Sequence, residues 1–152
     1  MIGGYDSGDL AGLRRDYDGP DLDETNLEAD PTAQFRRWFD EALRSGMTEP
    51  NAMVLATVDS SGSPRQRTVL LKHVDEAGFV FFTNYESAKA GDLAAHPRAS
   101  LLFPWLRMHR QVIVSGEATR VPGEETARYF ARRPRGAQLA AWASRQSRVV
   151  AD

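Results

Sequence analysis

Of the 19 Lys and Arg side chains in this 152-residue chain, only two are lysines, Lys72 and Lys89. Lysine is a compact point charge and arginine a planar fork. In so arginine-biased a composition, a retained lysine marks a place that arginine does not fill. Lys72 ends a stretch of strand-forming residues. Lys89 falls in the first turn of a helix that Ser87 is placed to cap. A cation beside free helix N–H groups is unfavourable unless an anion sits there too, so the start of this helix is a candidate phosphate site. Two ordinary surface lysines are the plainer alternative. Arg65 and Arg67 alternate with Gln66 and Thr68, so they share one strand face, with Lys72 at the opposite parity. A solvated charged face is the alternative there. Tyr129 and Arg133 stand four apart on one helix and can address one ligand together.

Other chemistries lack their residues. With no cysteine there is neither disulfide nor thiolate. The three histidines, His73, His96 and His109, are scattered, without metal-ligand spacing. No Gly-x-Ser-x-Gly elbow, Walker loop or Gly-x-Gly-x-x-Gly fingerprint occurs. No apolar run approaches the roughly 18 residues of a membrane span, and no secretory signal opens the chain. A cytoplasmic protein with no membrane partner is the expectation. The formal net charge of −2 hides an asymmetry. Residues 1–30 carry nine acidic and two basic side chains, a net of −7, and the remainder a net of +5. An acidic arm thus precedes a basic body suited to small anions. The basic residues are dispersed rather than clustered, which argues against nucleic acid.

The elements that must position these groups follow from pattern. Residues 1–29 read as a mobile acidic arm and 30–152 as one domain. Asp30 is an N-cap with Pro31 at the first helical position. Phe35, Trp38, Phe39, Ala42 and Leu43 follow at helical spacing, and Gly46 ends the helix. Strands are expected at Ala52–Val58, Gln66–Val74, Gly78–Asn84, Ala99–Trp105 and Gln111–Val121, the first two forming a hairpin about Asp59-Ser60-Ser61-Gly62. Helices are expected from Ser87 to before Pro97, over Pro122–Arg132 and over Gly136–Gln146. Closely spaced strands with few helices between them predict a mainly β (α+β) fold, an antiparallel barrel or sandwich with peripheral helices.

Taken together, LRRDY (13–17), RQRTVLLKH (65–73), FVFFTNYESAK (79–89), ASLLFPW (99–105), RQVIVSGEA (110–118) and YFARRPRGAQLAAWAS (129–144) with RQSRV (145–149) resemble the pyridoxamine/pyridoxine 5′-phosphate oxidase family. The resemblance runs from about residue 10 to the end. It implies an FMN-binding split β-barrel and a homodimer with two FMN sites at its interface. By that resemblance Arg67, Thr68, Val69, Leu70, Leu71 and Lys72 line FMN. Phe82 and Thr83 touch it, Lys89 meets its phosphate, Gln111 reaches the isoalloxazine, and Gln146 and Ser147 contact it from the later segment. Lys72, Tyr129 and Arg133 hold the substrate phosphate, and Arg14 and Tyr17 belong to an arm closing over the substrate. The implied reaction oxidises pyridoxamine or pyridoxine 5′-phosphate to pyridoxal 5′-phosphate, with dioxygen as acceptor. No catalytic side chain is assigned, because the family's Arg and His fall beyond Asp152.

Departures from the family's pattern accompany the likeness. Ala88 replaces the arginine that usually precedes the lysine, removing one phosphate cation. Ala137 replaces a substrate-phosphate serine, worth about 1 kcal/mol if nothing takes its place. The family continues past residue 152 with further strands, a flavin-contacting tryptophan and an Arg-Leu-His segment. Two alternatives therefore stand beside the oxidase: a flavin-binding module or flavin reductase of the same superfamily, and a form without oxidase activity. Deleting residues 1–20 is expected to leave FMN binding nearly intact while weakening binding of pyridoxal 5′-phosphate, as separate titrations with the two ligands will show.

Overall fold

The run that begins at Asp30 forms the first α-helix of the computed structural model, which describes residues 12, 13, 16, 22–144 and 146–148. Helix α1 spans Pro31–Arg44. The Asp30 carboxylate accepts from the backbone N–H groups of Thr32 at 3.2 Å and Ala33 at 3.0 Å. These are two of the donors that a helix start otherwise leaves unsatisfied. Gly46 follows the helix at φ +70°, a left-handed conformation that glycine adopts without steric cost.

The described residues form six strands where five were expected; the first keeps its expected limits and the others change. β1 covers Ala52–Val58, β2 Pro64–Leu70, β3 His73–Asp75, β4 Gly78–Val80, β5 Arg98–Trp105 and β6 Arg110–Glu117. All pairings are antiparallel. One sheet runs β2-β1-β5-β6, and β3 and β4 form a separate two-stranded ribbon. The β1–β2 hairpin turns on Asp59. One oxygen of its carboxylate accepts from the Ser61 amide (2.8 Å), the Ser61 hydroxyl (2.6 Å) and the Ser63 amide (3.0 Å). The Ser61 hydroxyl, aided by the Ser63 amide, holds that carboxyl below its ordinary pKa. Helix α2 is Ala88–Ala95, α3 Gly123–Arg132 and α4 Arg135–Ala143. No helix among the described residues is long and apolar enough to cross a membrane.

The expected continuous strand over Gln66–Val74 is instead two strands in two sheets. Leu71 donates its N–H to Asn51 O at 2.8 Å, closing the β1–β2 ladder, and the next residue, Lys72, donates to Val80 O at 2.8 Å. The chain changes partner at one peptide unit, and period-two patterning does not register such a change. The third expected strand likewise pairs only over Gly78–Val80, leaving residues 81–84 outside any ladder. β6 stops at Glu117, and α4 ends at Ala143 rather than at Gln146.

An aromatic cluster joins α1 to both sheets. The Phe35 ring lies 4.8 Å from Phe79, 5.0 Å from Phe103 and 5.6 Å from Trp105, centroid to centroid. Phe103 and Trp105 are fully buried, and the Trp105 indole N–H donates to Pro50 O at 2.9 Å. Offset and edge-on rings at these distances add about 0.5–1.5 kcal/mol per pair beyond area burial. Phe35→Ala is expected to cost about 3–5 kcal/mol of unfolding free energy. Leu43→Ala, on the exposed side of the same helix, is expected to stay within about 0.5 kcal/mol. Urea melts of the two variants, compared at equal m-value, check the difference.

Candidate functional site

An open cavity of about 2230 Å³ lies between β2, the 81–85 segment, the start of α2, and helices α3 and α4. Its lining includes Leu55 from β1, Leu101 from β5 and Val114 from β6. Four of the cationic groups singled out by sequence converge on its wall. Arg67 and Lys72 enter from the β2 side, Lys89 from α2, and Arg133 from the end of α3.

Lys89 is the most constrained of them. It is buried, and its Nζ donates to Gln146 Oε1 at 3.0 Å, Thr83 Oγ1 at 3.1 Å and Ser87 Oγ at 3.4 Å. These three acceptors are neutral. Desolvation, and then the nearby Arg67 charge, hold the ammonium below its ordinary pKa. Ser87 occupies the N-cap position, but its hydroxyl donates to Asn84 O at 2.7 Å and makes no side-chain cap. A buried cation, a second cation close by and a helix start lacking a side-chain cap together favour a bound anion.

Arg67 is held from behind. Its Nη1 donates to Thr57 Oγ1 at 2.6 Å and to Leu55 O at 3.2 Å, and its Nη2 lies 3.5 Å from the Asp92 carboxylate. Arg65 points the same way, as strand parity requires, and pairs with Asp59 at 2.9 Å and Asp92 at 3.5 Å. It is not among the residues lining the cavity. Sequence reasoning missed Asp92 and Thr57. Asp92 stands three positions after Lys89 on one short helix, and Thr57 continues the buried parity of Met53 and Leu55. Those spacings were the only signals, and each also fits an ordinary surface acid or a sheet threonine.

Across the cavity the Phe82 and Tyr129 rings stack at 3.9 Å with planes 4° apart. Arg133 sits just past the last residue of α3 in extended backbone, with its guanidinium over the Phe130 ring at 5.8 Å. Tyr129 and Arg133 therefore meet the same cavity without sharing a helix face, because the helix stops before Arg133. Asn84 Nδ2 donates to Ser144 O at 3.4 Å, tying the end of α4 to the 81–85 segment. Arg120 lies over the Tyr85 ring at 4.7 Å, and both line the cavity.

Thr68, Val69 and Leu70 also line the space, as do Thr83, Gln146 and Ser147. Leu71 does not. The change of strand partner turns its side chain into the core, where it is 6 % exposed. Gln111 also stays outside. It is exposed on β6 together with Ile113, at the parity opposite to the cavity-lining Val114. Ala88 lines the cavity and Ala137 does not. Arg14 and Tyr17 lie outside the described residues. No group of three or more His, Cys, Asp or Glu that could hold a metal ion occurs among the described residues.

The family model described as pyridoxamine 5′-phosphate oxidase matches residues 39–152. A pyridoxine/pyridoxamine 5′-phosphate oxidase of Cupriavidus necator is 56% identical over 141 residues, covering 93% of this chain and 66% of the relative. One from Rubrobacter xylanophilus is 58% identical over 139 residues, covering 91% and 64%. The chain thus spans just under two thirds of the length of these relatives. Among solved structures, PhzG from Burkholderia lata, in complex with tetrahydrophenazine-1-carboxylic acid, superposes with a TM-score of 0.83 at 26% identity, covering 88% of this chain and 67% of that one. A pyridoxamine 5′-phosphate oxidase-related, FMN-binding protein of Nostoc punctiforme shares the fold, with a TM-score of 0.59 at 20% identity over 76% of this chain and 64% of that one. With an antiparallel split-barrel architecture and a family match over residues 39–152, the chain belongs to the pyridoxamine 5′-phosphate oxidase family.

Proposed function

We propose that this chain binds FMN in the cavity and serves the oxidation of pyridoxamine or pyridoxine 5′-phosphate to pyridoxal 5′-phosphate, with dioxygen as electron acceptor. The observation that carries the reading is the Lys89 site. A buried ammonium there meets only neutral acceptors, with the Arg67 guanidinium close enough to depress its pKa. A phosphate dianion is the ligand that relieves both the burial and the repulsion. The residues present therefore fit the FMN phosphate at the start of α2, with Lys89 and Arg67 as its cations and Thr83 and Gln146 orienting Lys89.

The remaining lining divides by chemistry. Val69, Leu70, Leu101 and Val114 offer apolar surface to a flat ring system. Lys72, Tyr129 and Arg133 are left for a second anion, the phosphate of the vitamin substrate. The flavin would supply the two-electron chemistry when bound, and the protein orientation, charge and shielding from water. Gln111 faces away from its own chain's cavity. In a homodimer it is free to reach the partner's flavin, which supports the dimer as the working unit.

A second reading has its own support. PhzG, described with a tricyclic carboxylic acid, superposes over 88% of this chain. Ala88 and Ala137 stand where the resemblance places a cation and a hydroxyl. A flavin module acting on a different planar anion is compatible with both.

The deciding experiment titrates purified protein with FMN, then adds pyridoxamine 5′-phosphate under air. Quenched flavin fluorescence followed by hydrogen peroxide and pyridoxal 5′-phosphate is the expected outcome. Flavin binding without product moves the function to the second reading, and absence of flavin binding removes both. Lys89→Met is expected to weaken FMN binding about tenfold or more, the cost of one charge-assisted contact, while leaving riboflavin nearly unaffected. The pH dependence has a definite sign. Bound phosphate favours the ammonium, so above the lowered pKa of free Lys89 binding takes up a proton. FMN affinity should therefore fall as pH rises through that pKa. Lys89→Arg, which stays charged, should flatten the fall in isothermal titrations.

A further inference from the structure

We propose that Asp92 is a positioning residue that fixes the direction of the Arg67 guanidinium, and with it the phosphate end of the flavin site. The inference rests on the FMN reading above and names a residue that reading does not use.

Asp92 is buried, with 6 % of its surface exposed, on the same short helix as Lys89. Its Oδ2 accepts from the Thr57 hydroxyl at 2.8 Å and lies 3.5 Å from Arg67 Nη2. Its Oδ1 lies 3.5 Å from Arg65 Nη1. Thr57 is 1 % exposed, and the one proton of its hydroxyl goes to Asp92. Its lone pair takes Arg67 Nη1 at 2.6 Å. Thr57 therefore relays between the carboxylate and the guanidinium, while Leu55 O takes a second bond from Nη1 at 3.2 Å. Both terminal nitrogens of Arg67 are thus engaged from behind, and the rest of the fork is left to the cavity.

Two functions follow for a carboxylate in this place. It joins α2 to β1 and β2, which sets the separation of Lys89 and Arg67. It also partly compensates Arg67, allowing two cations to share one wall before an anion arrives. A buried acid without such partners would carry a large desolvation penalty. Any strut could join the helix to the sheet. Only a positioning role makes the effect specific to the ligand's phosphate.

The test is the ratio of FMN to riboflavin affinity, measured by fluorescence titration of the full chain. Wild type should favour FMN. Asp92→Asn should reduce FMN affinity about tenfold and leave riboflavin affinity unchanged, so that the ratio falls. Asp92→Glu should recover part of the ratio. Thr57→Val keeps the side-chain shape and removes the relay, so it should lower the ratio in the same direction. It decides the question if Asp92→Asn does not fold. Equal loss of both ligands in Asp92→Asn and Thr57→Val would show a mere strut and overturn the proposal. Unchanged or tighter FMN binding would show that the carboxylate only drains charge from Arg67, and would also overturn it. A wild-type protein that does not distinguish FMN from riboflavin would overturn the FMN reading itself, an outcome separate from the other two.

Discussion

Strand β1 is paired on both edges, to β2 and to β5, and its two-residue alternation governs what surrounds it. Met53, Leu55 and Thr57 fall on the more deeply buried parity. In register with β2, Leu55 stands opposite Arg67. The same strand thus supplies the core with Met53 and Leu55, and supplies Arg67 with a carbonyl and a hydroxyl. A one-residue slip would exchange this set for Val54, Ala56 and Val58. The core would lose its fit and Arg67 its hydroxyl partner together. Packing and site geometry are therefore one constraint at this strand.

Among the described residues, the buried carboxylates are compensated by cations or hydrogen-bond donors. Asp92 is buried against two arginines and a hydroxyl. Asp59 sits under three hydrogen bonds from its own turn, with Arg65 at its second oxygen. Lys89 is the exception, a buried cation whose three acceptors are all neutral. That imbalance sets Lys89 apart from the ion pairs that Asp59 and Asp92 make with arginine. Burial, and then the nearby Arg67 charge, move the Lys89 pKa in the direction that opposes charge.

The aromatic cluster and the cavity lie on the same sheets and meet at Phe79, which packs on Phe35 and also lines the cavity. Phe35, Phe103 and Trp105 tie α1 to the sheets. Residues of α2, α3 and α4 line the cavity, and no residue of α3 or α4 is buried. Helices that contribute little to the core are held by single contacts, such as the Phe82–Tyr129 stack and the Asn84–Ser144 hydrogen bond. Such segments lie at the low end of local stability, as ligand-binding elements commonly do.

By itself, the sequence determined whatever depends on neighbours a few positions apart. The Asp30 cap, the helix it starts, the β1–β2 hairpin and the shared face of Arg65 and Arg67 follow from local periodicity and turn chemistry. The scarcity of lysine marks Lys89, and the family motifs mark the other candidate site residues. Local patterning does not contain the exchange of partners at Leu71 and Lys72, because each residue there still has an extended backbone and only the strand beside it changes. It does not contain Asp92 either, whose role depends on Thr57, 35 positions earlier, and on Arg67, 25 positions earlier. Their approach is set by how α2 packs against β1 and β2. Tertiary structure decided which cations are compensated and which are not, because burial and pairing are properties of the folded chain and not of any segment of it.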